Sequence, residues 1–186
     1  MRWRTALVAV SVVGLVAVGC GDDSGSDDQL AQVTAERDAL QEQVDAAAER
    51  YEKSDATQQA VIDIIADPDA FGTEDEVLDL LDQHAESIGI IYGDDAFGAT
   101  TWRVGWRNTL YGDLDADIQT WTRWLSDDGS TGGSLWSWNG TAANGEPFTL
   151  TGVVLEQYND DGLYEELYVY YPLEDSEVRR IFDEGN

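Results

Sequence analysis

Residues 136–171 read WSWNGTAANGEPFTLTGVVLEQYNDDGLYEELYVYY, and this stretch decides the fold. Aromatic, β-branched and small residues alternate with polar ones at a period of two, the signature of strands with one buried face. Ser134–Thr141 reads as one strand and Phe148–Tyr158 as the next, with Asn144-Gly145 marking the loop between them. Asp161-Gly162 is a tight hairpin signal, because these residues accept the positive φ that such turns need. It leads into Leu163–Tyr171, which Pro172 stops. Upstream, Ile118–Leu125 joins Ser134–Thr141 through the Gly-rich segment 129–133. The expectation is four antiparallel strands.

The period before Gly112 is helical. Val61, Ile62, Ile64 and Ile65 repeat along Ala56–Ala66, and Asp67-Pro68 ends that helix. Thr73-Glu74-Asp75-Glu76 has the form of a capping box, with Thr73 as N-cap and Glu76 reaching back. The helix it opens presents Val77, Leu78, Leu80, Leu81 and Ala85. Ser87–Tyr92 is rich in β formers, and Thr101–Tyr111 places Trp102, Trp106 and Leu110 on one helical face. Ser176–Asp183 reads as a short terminal helix within a tail, residues 176–186. Helices followed by sequential strands make an α+β domain over residues 54–175.

The order of these signals resembles the SnoaL-like branch of the nuclear transport factor 2-like superfamily. The residues that carry the resemblance are Gly140-Thr141 at a strand end, Gly145 and Phe148 in and after the loop, and Gly152 in the next strand. The Asp161-Gly162 hairpin and the closing pair Tyr170-Tyr171 complete it. The resemblance implies a cone, in which a strongly curved antiparallel sheet wraps about three helices and leaves a pocket at its open end. It also implies a choice between isomerase, cyclase or hydrolase chemistry and binding without chemistry.

Catalytic relatives place an ionisable group, often an Asp, on the final strand beside the aromatic pair. The matching position here is Val169, between Tyr168 and Tyr170, so that acid is missing. Glu156, Glu165 and Glu166 are the remaining carboxylates on the last two strands that a pocket could use as a general base. Each has the solvent-facing alternative common to glutamates. For an apolar ligand, the candidate walls are Trp102, Trp106, Trp121, Trp136, Trp138 and Tyr170. Core packing is the competing explanation for these rings. On an unbroken strand Trp121 and Trp124 face opposite sides, whereas Trp136 and Trp138 share one. Arg103, Arg107 and Arg123 either meet an anionic group or offset nearby acids. His84 reads as an ordinary helix residue. Asp113, Asp115 and Asp117 imitate the start of a calcium loop, but Ile118 and Trp124 stand where the Gly and the terminal Glu are required. Asn139-Gly140-Thr141 matches a glycosylation sequon and overlaps the strand end.

The chain begins with an address. Arg2 and Arg4 precede an uncharged run, Thr5–Gly19, which is shorter than the ~20 apolar residues of a membrane span and suits a signal peptide, residues 1–19. Val16-Ala17-Val18-Gly19-Cys20 resembles the lipobox of bacterial lipoproteins, with Ala17 where Leu is commonest. That resemblance implies lipidation of Cys20 and anchoring to the outer side of the cell membrane by two or three acyl chains. Residues 20–29 read as a flexible tether, holding only Gly, Asp and Ser from Gly21 to Asp28. Leu30, Val33, Leu40, Val44, Ala47 and Tyr51 then form a heptad seam, with Arg37 in one slot. A helix over 30–53 would be a stalk about 35 Å long, and its seam offers self-association as a homo-oligomer.

Composition narrows the function classes. The chain has 186 residues, 10 Lys+Arg, 38 Asp+Glu and a formal net charge of −28. Such a surface repels phosphate, which excludes a basic nucleic-acid footprint. With 1 Cys and 1 His, the chain lacks the ligands for a Cys/His zinc cluster, and no cofactor or metal is expected. Three readings follow. The first is an envelope lipoprotein whose domain binds a small apolar ligand or a protein partner without catalysis. The second is an enzyme with a pocket Glu as base, and the third a structural, oligomerising lipoprotein. A carboxylate buried in the pocket favours the second.

Overall fold

The computed structural model describes residues 24–85, 89–92, 99–112, 115–141 and 145–170. The signal peptide, Cys20, Asp113 and the terminal helix expected at 176–183 lie outside the described residues. The chain divides into two compact units, residues 1–40 and 41–186. In the first unit the described structure is helical, and Leu30, Val33 and Leu40 are exposed. Its side-chain bonds are local: Gln32 donates to Glu36 at 2.8 Å, and Thr34 to the Leu30 carbonyl at 2.7 Å. Among the described residues, no helix is long and apolar enough to cross a membrane.

Helix α1 spans Ser24–Ala66 without a break. Helix therefore starts inside the segment read as a tether and continues through Ser54 and Thr57, which the sequence marks as weak helix formers. Both are buried, and their positions recur with Gln58, Val61, Ile64 and Ile65 at helical spacing. Ser54 Oγ donates to the Gly129 carbonyl at 2.9 Å, so its polar group is satisfied by a strand turn. A short 3₁₀ turn, Pro68–Phe71, follows the break at Asp67.

Helix α2 (Glu74–Asp82) opens on the expected capping box, with the Thr73 amide and hydroxyl each donating to Glu76 Oε2 at 2.8 Å. Its buried face is Val77, Leu78 and Leu81. Helix α3 (Trp102–Tyr111) packs beside it, and Trp102 Nε1 donates to the Leu81 carbonyl at 3.1 Å.

The sheet has six strands: β1 (Gly89–Tyr92), β2 (Ala99–Thr101), β3 (Asp115–Leu125), β4 (Thr131–Thr141), β5 (Pro147–Tyr158) and β6 (Tyr164–Tyr170). Their order is β2-β1-β6-β5-β4-β3. The last four form the expected antiparallel set. Two strands extend it. β1 runs parallel to β6, and β2 pairs antiparallel with β1. Strands of three and four residues carry too little periodicity to be read as a ladder, and a parallel pairing leaves no hairpin signal in sequence.

The hairpin turns at one end of the sheet close onto α1. Asp128 organises the β3–β4 turn, accepting from Ser126 Oγ (2.7 Å) and from the amide and hydroxyl of Ser130 (3.1 and 2.8 Å). Those bonds, the Ser126 one foremost, hold its carboxyl down at about 2. Arg50 joins both turns to the helix, donating to the Asp128 carbonyl at 2.9 Å and to Asp160 at 2.8 Å. The inner face of the sheet, carrying Trp136, Trp138, Leu150, Leu167 and Val169, meets the apolar faces of α1, α2 and α3 in one core.

Candidate active site

A cavity of about 80 Å³ lies between the inner face of the sheet and the helices. Val61, Ile62 and Ile65 of α1 and Trp102, Trp106 and Thr109 of α3 wall it on one side. From the sheet come Ile90, Ile118, Thr120, Ser134, Trp136, Trp138, Val154, Glu156, Tyr164, Leu167 and Val169. Glu156 is the one carboxylate among these residues. It is only 5% exposed.

The strand period explains the placement. Glu156 and Tyr158 are two residues apart on β5 and share its inner face. Tyr158 Oη donates to Glu156 Oε2 at 2.6 Å, and Gln58 Nε2 donates to the same oxygen at 2.6 Å. Gln58 Nε2 also lies 3.3 Å from the Gly133 carbonyl, and Gln58 Oε1 accepts from Arg123 Nη1 at 3.0 Å. Arg123 pairs in turn with Asp55. Both bonds to Glu156 fall on Oε2; among the described residues no side-chain bond reaches Oε1, and Glu156 lines the cavity.

Burial favours the neutral acid and raises the Glu156 carboxyl to about 7, against the opposing pull of the Tyr158 and Gln58 hydrogen bonds and the Arg123 charge. Tyr158 and Tyr164, with ring centroids 4.8 Å apart, are both pushed well above the ordinary tyrosine value, chiefly by burial. Both are neutral phenols at any physiological pH. A carboxyl that titrates near neutrality in an apolar cavity can accept and return a proton under ordinary conditions.

The other candidates separate cleanly. Glu165 is exposed, and Glu166 is half-buried and accepts from the Tyr168 hydroxyl at 2.8 Å. Neither lines the cavity. Trp102, Trp106, Trp136 and Trp138 do line it, whereas Trp121 and Tyr170 are 60% and 43% exposed. Trp121 is the extra residue of a β-bulge, since Thr120 pairs with Trp136 and Thr122 with Leu135. The bulge shifts the alternation, and Trp121 and Trp124 are both exposed rather than divided between the faces. Arg103 pairs with Asp79 and Asp82, and Arg107 with Glu74, so these two cations tie α3 to α2. His84 is half-buried and lies outside the cavity lining, with burial lowering its pKa. Asp115 and Asp117 sit in the β3 ladder, opposite Thr141 and Asn139.

Gln58, Tyr158, Tyr164 and Ser134 are site residues that the sequence reading did not single out. For Gln58 a signal was available: it occupies the buried slot between Ser54 and Val61 on an amphipathic helix. For Tyr158 the signal was the Glu-x-Tyr spacing on one strand face.

No family model and no curated protein matches the sequence. Solved structures do. An NTF2-like protein of unknown function from Burkholderia pseudomallei superposes with a TM-score of 0.53 at 13% identity, over 69% of this chain and 96% of that one. The fold is nuclear transport factor 2-like. BvnE pinacolase from Penicillium brevicompactum gives 0.53 at 12% identity, covering 69% of this chain and 89% of its own. TerC, co-crystallised with polyporic acid, gives 0.54 at 11%, covering 70% and 98%. At such identities the NTF2-like fold is what is shared, and the chemistry has to be argued from the residues of this chain.

Proposed function

We propose that this NTF2-like domain is a proton-transfer enzyme of the SnoaL-like kind, acting on a small apolar carbonyl compound with Glu156 as general base. The observation that carries this reading is a single carboxyl, buried in an apolar cavity, with Oε2 fixed by Gln58 and Tyr158 and, among the described residues, no side-chain bond to Oε1. Oε1 takes a proton from the carbon next to the carbonyl, the electron pair moves onto the carbonyl oxygen, and the protonated carboxyl returns the proton at the same or a conjugated carbon. Isomerisation or exchange follows without any net change in oxidation state.

The position of the base differs from that of catalytic SnoaL-like relatives. Val169 on β6 lines the cavity where the resemblance puts an acid. Its β5 partner is Val154, and Glu156 stands two residues further along β5, opposite Leu167. The acid has moved to the neighbouring strand and still faces the same cavity. The pinacolase among the structural neighbours is an enzyme by name on this fold, in keeping with a catalytic reading.

The test is hydrogen–deuterium exchange into a panel of small ketones and enones in heavy water. Wild-type protein accelerates exchange, and Glu156→Gln loses at least about a hundredfold of the acceleration, the scale of general-base catalysis. Exchange no faster than buffer across the panel, or a Gln variant as active as wild type, overturns the reading.

The same proposal places the domain on the outer side of the cell membrane, through a lipidated Cys20. Its support is a lone cysteine directly after a short apolar run. Radiolabelled palmitate incorporated by wild type and lost in Cys20→Ser is the expected result. Label retained in the variant removes the anchor.

A further inference from the structure

We infer that the cavity also receives small organic ammonium ions, with the Glu156 carboxylate as counter-ion and tryptophan rings as walls. This inference concerns the ionised state of Glu156 and stands whether or not the site turns over a carbonyl substrate.

A carboxylate in an apolar interior is costly unless a cation or several hydrogen bonds compensate it. Two neutral donors serve Oε2. Arg123 is the nearest cationic residue in this network, but it is bonded to Gln58 and Asp55, and no ion pair to Glu156 forms among the described residues. Oε1 therefore accepts an N–H from a ligand and gains an opposite charge with it.

The walls suit the same guest. Trp102, Trp106, Trp136 and Trp138 all line this one cavity. Indole is the strongest partner for a cation among the aromatic side chains, and aromatic-lined pockets are a recurring means of holding alkylammonium groups. The N-methyl groups of such an ion are apolar enough for these walls, while its charge favours the carboxylate. A metal ion lacks both advantages, because the lining offers one carboxylate and few other oxygens. An anion is opposed by Glu156 and by the chain's net charge of −28, which instead concentrates cations around the protein. A cavity of about 80 Å³ admits on the order of six non-hydrogen atoms.

Titratable and charged groups around Glu156 come from every side. Tyr158 lies on its own strand, Tyr164 on β6, Arg123 on β3 and Asp55 on α1, while β4 contributes the uncharged Gly132, Gly133 and Ser134. The two phenols stay neutral, so Glu156 is the group in this cavity that switches.

The experiment titrates the full chain with dimethylethanolammonium and, separately, with 3-methylbutan-1-ol, following tryptophan fluorescence at about pH 8. The two probes share one skeleton and differ by a charged N–H in place of a C–H. The ammonium binds at least tenfold more tightly than the alcohol, and its affinity falls as pH is lowered through about 7. Glu156→Gln, shown to be folded by near-ultraviolet circular dichroism, loses the preference. Equal binding of the two probes, binding of neither, or a preference that survives in the Gln variant overturns the inference. An ammonium preference without proton exchange would sink the enzyme reading alone, and exchange without the preference would sink this inference alone.

Discussion

The side-chain amide of Gln58, on α1, donates to Glu156 Oε2, on β5, across 2.6 Å of the domain interior. The Gln58 carbonyl faces Arg123 Nη1, so the amide is oriented with its donor toward the carboxyl. Replacing Gln58 with Leu removes a bond that favours the ionised form. The Glu156 midpoint then moves above its present value of about 7, in the direction that the lost bond dictates. The same change lowers stability by about 1–3 kcal/mol at alkaline pH, where the carboxylate loses a buried partner. Carbon-detected NMR of the glutamate carboxyls and urea unfolding measure the two effects. An unmoved midpoint would show that Gln58 does not act on the carboxyl.

Stability should fall as pH rises from about 4.5 to about 7. The folded-state value of Glu156 is raised above its unfolded value of 4.5, so the folded protein binds more protons in that window. Deprotonation therefore costs the folded state more than the unfolded one. The penalty is absent below the window and complete above it, with an upper limit of about 3 kcal/mol. Glu156→Gln abolishes this part of the pH dependence, which urea midpoints collected across the range read directly. General-base activity runs in the opposite sense, rising with pH through about 7 as the carboxylate forms.

Fold and site were unequally legible in the sequence. The four long strands, the two later helices and the Thr73–Glu76 capping box follow from local periodicity and turn chemistry, which are properties of adjacent residues. The β-rich run Ser87–Tyr92 contains β1, but its parallel pairing with the distant β6 is not a local property, and β2, which pairs with the nearby β1, is only three residues long. Glu156 could be named as a candidate but not separated from Glu165 and Glu166. What separates them is burial beneath α1, and the helix contributes Gln58 from a position 98 residues away. Trp121 follows Thr120, which faces the cavity, and so points outward; the inserted residue turns Trp124 outward as well, because a bulge changes the alternation on which every later assignment along that strand depends.

Gly129 and Gly162 are expected to be intolerant of a side chain for a shared reason. Both have positive φ, +68° and +72°, and both turns lie against the backbone of α1. A Cβ on Gly129 would stand 2.5 Å from Tyr51 Cα, and one on Gly162 2.5 Å from Lys53 Cβ. The obstacle in the first case is backbone that cannot rotate away. Gly129→Ala should cost about 2 kcal/mol or more, combining backbone strain with a forced separation of the turn from the helix. Urea unfolding gives the value. A cost under about 0.5 kcal/mol would mean that this turn is not seated on α1.

Two tryptophans should give opposite results. Trp138 is buried, lies opposite Leu150 in the ladder and meets Phe148 edge-on with ring centroids 5.9 Å apart. Its truncation to Ala leaves a void that the surrounding strands cannot fill and should cost about 3–5 kcal/mol. Trp121, exposed at the bulge, has few atoms around it to lose, and Trp121→Ala should stay within about 0.5 kcal/mol of wild type. The pair also distinguishes core from surface in ligand work. Trp121→Ala should leave ammonium binding unchanged, whereas a small substitution at a cavity wall such as Trp106→Phe should weaken it. A Trp121 variant that lost binding while keeping its fold would place the ligand on the bulged edge of the sheet rather than against Glu156.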